Sequence, residues 1–188
     1  MNGSVYSLDE LLLEYKKGNT YEFLLFWGHT PLPNGKISPS CFSQWWMRDF
    51  EVDGVRYSCA EQYMMAEKAR LFNDERALTK IMNATSPANM KAYGREVRNF
   101  RDSVWNSNCV RIIKAANTAK FSQNPELLEF LLGTEGKILV EASPYDKIWG
   151  IGMEKNDPNA KNPQRWRGKN LLGFALTEVR DELLMKNN

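Results

Sequence analysis

From Ser58 to Phe72 the apolar residues Ala60, Met64, Met65, Ala69 and Phe72 recur at steps of three and four, the spacing of one helix face. Just before them, Phe50-Glu51-Val52 and Val55-Arg56-Tyr57 flank Asp53-Gly54, a pair that readily takes the positive φ angles of a two-residue hairpin turn. A change of period across so short a stretch demands a fold that packs helices with short strands. The expected class is α+β, rich in helix, with a few short strands.

The remaining signals agree with that class. Ser7-Leu8-Asp9-Glu10 has the capping-box pattern, so an N-terminal helix is expected over residues 7–17, stopped by Gly18. Glu22 to Trp27 is apolar and aromatic enough for a buried strand, and Gly28 to Ser40, rich in Pro, Gly and Asn, is a loop. Helices follow over Asp74 to Asn83 and from Ser86-Pro87 to a stop at Gly94. The longest helix runs from Asp102 to Phe121 with Trp105, Cys109, Ile112, Ala116 and Ala119 on one face. Asn124-Pro125 starts another, ended by Gly133; Lys137 to Ala142 reads as a strand; a last helix from about Leu171 turns Leu172, Leu176, Val179 and Leu183 inward. No repeat or linker divides the 188 residues, so one domain is expected over 1–188, its core at about 22–185.

Charge and cysteine content exclude several classes. Lys and Arg number 25 against 23 Asp and Glu, a net +2 too small to draw nucleic acid or a membrane surface on its own. Cys41, Cys59 and Cys109 are odd in number and widely spaced, which fits neither a disulfide framework nor a zinc cluster; they read as reduced thiols. The first residues lack a basic segment followed by an apolar core, and no apolar run reaches the roughly 18 residues of a membrane span. A cytoplasmic protein without a membrane partner is expected.

Two constellations carry possible chemistry. Glu61 and Lys68 are seven residues apart, which on a helix places them on one face, roughly 10 Å apart along the axis, together with Met65 and Phe72. Charged groups on an apolar face are costly unless paired or lining a cavity, so the pair points to a pocket. The structural alternative is that Ser58-x-x-Glu61 is itself a capping box. The second constellation is Ser143 to Gly152, where Asp146, Trp149 and Gly150 bring a carboxylate and an indole beside a backbone that a ligand can approach closely. Its structural alternative is a turn with Asp146 bonding its own backbone and Trp149 filling the core. Of the six tryptophans, Trp166, between two arginines in a polar loop, is expected to be the exposed one. The single His29 has no Cys or second His at ligand spacing, so no metal is expected. Ser43, Ser58 and Ser86 lack the Gly-x-Ser-x-Gly elbow of a hydrolase triad.

The order of motifs adds a resemblance. Phe42-Ser43-Gln44-Trp45-Trp46, the hairpin, Tyr57-Ser58-Cys59-Ala60-Glu61-Gln62-Tyr63 with Lys68, Ser86-Pro87, Gly94-Arg95, Trp105, Tyr145-Asp146-x-x-Trp149-Gly150-x-Gly152 and Gly168-Lys169-Asn170-Leu171-Leu172-Gly173 together resemble the YbiA-like family, also called NADAR. The match runs in order from about Phe23 to Leu184. The resemblance implies an α+β N-glycosidase without a cofactor, acting on ribosylamino-pyrimidine intermediates of riboflavin synthesis. Relatives that remove ADP-ribose from guanine make ADP-ribosylated nucleic acid an alternative substrate, and a non-catalytic module binding NAD or ADP-ribose is a third reading. Carried over by motif, Glu61, Asp146 and Lys68 are the candidate catalytic residues. Trp149, Gly150, Trp105, Arg95, Ser43, Lys169 and Asn170 are candidates for binding a small ribosylated base or ADP-ribose-type substrate. The chain departs from the pattern at Gln44-Trp45, where the family has an Asn and then an aromatic, in the long loop from Thr30 to Ser40, and at Asn156 to Arg167.

Overall fold

A computed structural model describes residues 4–187. Its elements in chain order are α1 (Leu8–Lys16), β1 (Glu22–Phe26), β2 (Phe50–Val52), β3 (Val55–Tyr57), α2 (Ala60–Leu71), α3 (Glu75–Met82), α4 (Pro87–Arg95), α5 (Asp102–Ser122), α6 (Pro125–Leu132), β4 (Lys137–Glu141) and α7 (Leu171–Asn187). Short 3-10 turns occupy Pro39–Phe42 and Pro163–Arg165. The expected helix-rich α+β composition is thus observed. By contacts the chain divides into two compact units, one made of the chain up to Ser43 together with the chain from Glu126 onward, the other of Gln44–Pro125.

The discontinuous unit is built on a parallel pair, β1 with β4, in register from Glu22 opposite Lys137 to Phe26 opposite Glu141. Parallel strands need a crossover between them, and here the crossover carries the whole second unit. Leu25, Ile138, Val140, Ala142, Ile151 and Phe174 form the apolar cluster around the pair. Helix α7 is tied to β4 by polar bonds as well as packing. Thr177 Oγ1 accepts the Leu139 amide at 3.0 Å, and the buried Arg180 guanidinium donates to the carbonyls of Thr134, at 2.8 Å, and of Lys137. Helix α1 starts as its sequence dictates: Ser7 Oγ accepts the Glu10 amide at 3.2 Å, while the Glu10 carboxylate accepts the Tyr6 amide at 2.8 Å.

In the continuous unit, β2 and β3 form the expected hairpin, with Asp53 at φ 51° and Gly54 at φ 75°. Helix α2 packs against α3, α4 and α5 and is buried at every residue from Ala60 to Ala66, not merely along one stripe. Two local expectations change for reasons of packing. Helix α4 stops at Arg95, one residue past the expected Gly94, and a side chain at Gly94 would collide with Met65 of α2. On α5 the buried face includes Asn117 and Lys120, whereas Ala119 is half-buried. Helix α3 is capped by Asp74, whose carboxylate accepts the Ala77 amide at 3.2 Å and binds the main-chain amide and guanidinium of Arg98 at 2.9–3.0 Å.

Candidate functional site

Glu61 stands in the first turn of α2 and is only 3% exposed. The capping box expected at Ser58-x-x-Glu61 does not form. Gln62 Oε1 accepts both the amide and the hydroxyl of Ser58, at 2.8 and 3.0 Å, and Cys59 is the N-cap residue without a side-chain capping bond. Ser58 thus bonds Gln62 rather than Glu61, and the Glu61 main-chain amide is held by the carbonyl of Gln44 at 2.9 Å.

Two turns on, the Lys68 ammonium lies 4.3 Å from the centroid of the Phe100 ring and 5.6 Å from that of Trp105. Burial and then the positive charge of Arg95 push its pKa down, against the opposing pull of Glu61 and Asp102. Removing water from an ammonium and setting a second cation nearby both disfavour its charged form, so Lys68 releases a proton more readily than a surface lysine. The Cys59 thiol, close to Glu61, is pushed up by burial and feels Glu61 and Lys120 with opposite signs. Lys120 is fully buried: its place four residues after Ala116 puts it on the apolar face of α5, although its residue type argues for solvent. The continuous unit thus gathers Glu61, Lys68, Arg95 and Trp105 into one neighbourhood and adds Phe100, Asp102 and Lys120 to it. Beside Phe100 lies a cleft of about 470 Å³ lined by Leu71, Phe72, Asn73, Asn99, Phe100 and Arg101.

The discontinuous unit gathers a second set by main-chain bonds. Asp146 Oδ1 accepts the amides of Ile148 at 2.8 Å and Trp149 at 2.7 Å, which is the turn that the sequence offers as the structural alternative for this carboxylate. Trp149 is half-buried. Gly150 is where three segments meet: its carbonyl accepts the Asn170 amide at 3.1 Å, and a Cβ there would stand 2.7 Å from the Glu141 carbonyl oxygen. Lys169 is exposed and donates its amide to the Lys147 carbonyl at 3.0 Å. Asn170 is fully buried at φ 54°; its Oδ1 accepts the Glu141 amide at 2.9 Å and its Nδ2 donates to the Leu139 carbonyl at 3.0 Å. Those bonds occupy the amide in holding β4 to the start of α7. Ser43 follows the 3-10 turn and is half-buried, its amide donating to the Ser40 carbonyl at 3.1 Å.

Trp166 is not the exposed tryptophan. Its indole donates to the Ala160 carbonyl at 2.9 Å and packs edge-on against Phe23, whereas Trp27 is 54% exposed beside Tyr145. The three cysteines are buried thiols, and burial raises the pKa of Cys59 and Cys109, which makes both poor nucleophiles. Among the described residues no helix is long and apolar enough to cross a membrane.

The NADAR domain model matches residues 25–184. The chain belongs to the NADAR family. A NADAR relative named N-glycosidase R617, from Acanthamoeba polyphaga mimivirus, is 44% identical over 146 residues, covering 75% of this chain and 86% of that protein. The N-glycosidase YbiA of Escherichia coli K12 is 31% identical over 147 residues, covering 78% and 81%. The NMR structure of the E. coli protein YbiA superimposes with a TM-score of 0.69 at 27% identity, covering 90% of this chain and 89% of that one. At the level of the family, the NADAR chain stands among hydrolases that act on N-glycosyl compounds.

Proposed function

We propose that this NADAR chain hydrolyses the bond between C1′ of a ribose or ribose phosphate and the nitrogen of a base, with ribosylamino-pyrimidines of the riboflavin type as substrates. The observation that carries this reading is a carboxylate, Glu61, sunk to 3% exposure on the same helix as a lysine whose pKa burial has lowered. Breaking a C1′–N bond builds positive charge on the sugar, which a nearby carboxylate stabilises, and the departing nitrogen needs a proton. Lys68 gives that proton to the base as the C1′–N bond breaks. Water then attacks C1′, losing its proton to the Glu61 carboxylate, and a later transfer to Lys68 restores the starting state. Trp105 offers its ring to the base, and Arg95, exposed near Lys68, suits a phosphate. Asp146, Trp149, Gly150, Ser43, Lys169 and Asn170 belong to the discontinuous unit and rest on motif resemblance alone, with Asn170 and Gly150 serving as scaffold there.

A second reading, hydrolysis of an ADP-ribosyl group from guanine in nucleic acid, is favoured by the cleft of about 470 Å³ beside Phe100, which gives a longer substrate room next to the aromatic wall of Lys68. Purified protein incubated in parallel with a ribosylamino-pyrimidine phosphate, an ADP-ribosylated guanine oligonucleotide and NAD, followed by mass spectrometry of free base, separates the readings. Release from the first substrate alone supports the main proposal. Glu61→Gln should keep the fold and lose turnover; a fully active variant would refute its role.

A further inference from the structure

Next to Glu61 lies a polar pair that the proposed chemistry does not use. Gln44 is 9% exposed and Asn117 is fully buried. Asn117 Nδ2 donates to Gln44 Oε1 at 2.9 Å and to the Ile113 carbonyl at 2.9 Å. Those bonds fix both amide orientations, since turning Asn117 over would set its oxygen against the Ile113 carbonyl. The result leaves Gln44 Nε2 and Asn117 Oδ1 buried without a hydrogen-bond partner. A half-satisfied buried pair is worse for stability than two apolar side chains of the same shape. What the pair does accomplish is positional. Gln44 is the residue whose carbonyl holds the Glu61 amide, so clamping its side chain to α5 fixes the segment that anchors the first turn of α2. Gln44 is also one of the positions where the sequence departs from the family pattern.

We infer that Gln44 and Asn117 are positioning residues for Glu61, kept at a cost in stability because they hold its carboxylate in register with the sugar; this rests on the N-glycosidase reading. A carboxylate displaced by about 1 Å costs on the order of 10²-fold in rate without weakening ground-state binding. The test is the double variant Gln44→Met/Asn117→Leu, which keeps volume and removes every polar atom of the clamp. It should melt at a higher temperature than the parent, turn over substrate with kcat reduced by roughly 10- to 100-fold and KM little changed, and show a displaced acid limb in its kcat–pH profile. A double variant with unchanged kcat and pH profile would reduce the pair to a structural feature and overturn the inference. If the double variant does not fold, Gln44→Met alone, which keeps the main-chain carbonyl bonded to Glu61, must show the same loss of kcat at constant KM. A parent protein inactive on every ribosylated base would instead sink the N-glycosidase reading itself, a result distinct from both.

Discussion

Lys68 is a residue whose burial works against the fold while the proposed chemistry uses it. Its folded pKa lies below the ordinary lysine value, so between those two values the unfolded chain binds more protons than the native one. Stability therefore rises as pH climbs through that window, and at neutral pH the charged ammonium is a liability. Lys68→Met should retain or raise the melting temperature at pH 7, flatten that alkaline rise in thermal scans, and abolish base release. If Lys68 donates the proton, turnover of the parent should fall on an alkaline limb whose apparent pKa lies below 10.5. Asn170 is the opposite case, a candidate ligand whose amide is fully used by β4. Asn170→Ala strands the Glu141 amide and the Leu139 carbonyl in the interior and should cost about 2–4 kcal/mol, read as a lower denaturation midpoint.

At the scale of elements, caps and turns are legible wherever the partners are near in sequence. Ser7, Asp74 and Ser86 each cap the helix that their residue type announces. The start of α2 is legible in position but not in detail: in place of a box between Ser58 and Glu61, Ser58 bonds Gln62, whose Nε2 is itself held by the carbonyls of Ile81 and Met82, and the Glu61 amide goes to Gln44. Gly94 marks the end of α4 to within one residue, yet its lack of a side chain also lets Met65 approach, which its sequence neighbours do not announce. Gly94→Ala should cost about 1–3 kcal/mol through overpacking, measurable by denaturant unfolding. The cap of α3 carries its own pH signature. Hydrogen bonds from Arg98 hold the Asp74 carboxyl well below the usual carboxylate range. Its contribution is complete above the unfolded pKa and is lost as pH falls through the folded one, so Asp74→Asn should lower stability at pH 7 and lessen the loss on acidification.

For the whole molecule, a continuous segment, Gln44–Pro125, is inserted into the crossover of a parallel strand pair, and that segment carries Glu61 and Lys68. The net charge of +2 bears on partners rather than fold. Affinity for unmodified duplex DNA should be undetectable by fluorescence anisotropy at about 0.15 M salt and micromolar protein, since nonspecific binding depends on many neutralised phosphates. By itself the sequence determined the class, the order and approximate bounds of nearly every element, and the helix that carries Glu61. Those features depend on φ preferences and on side chains three or four residues apart, which a linear text records. The tertiary structure alone decided that the polar side chains of Lys120 and Asn117 are buried, that Gln62, held by Ile81 and Met82, takes the Ser58 bonds in place of Glu61, that Trp27 rather than Trp166 faces solvent, and that Asn170 belongs to the scaffold. Each of these turns on a partner or a cover contributed by residues distant in the chain, as Asn117 is to Gln44, and the energy of a polar group depends on that environment more than on its neighbours in sequence.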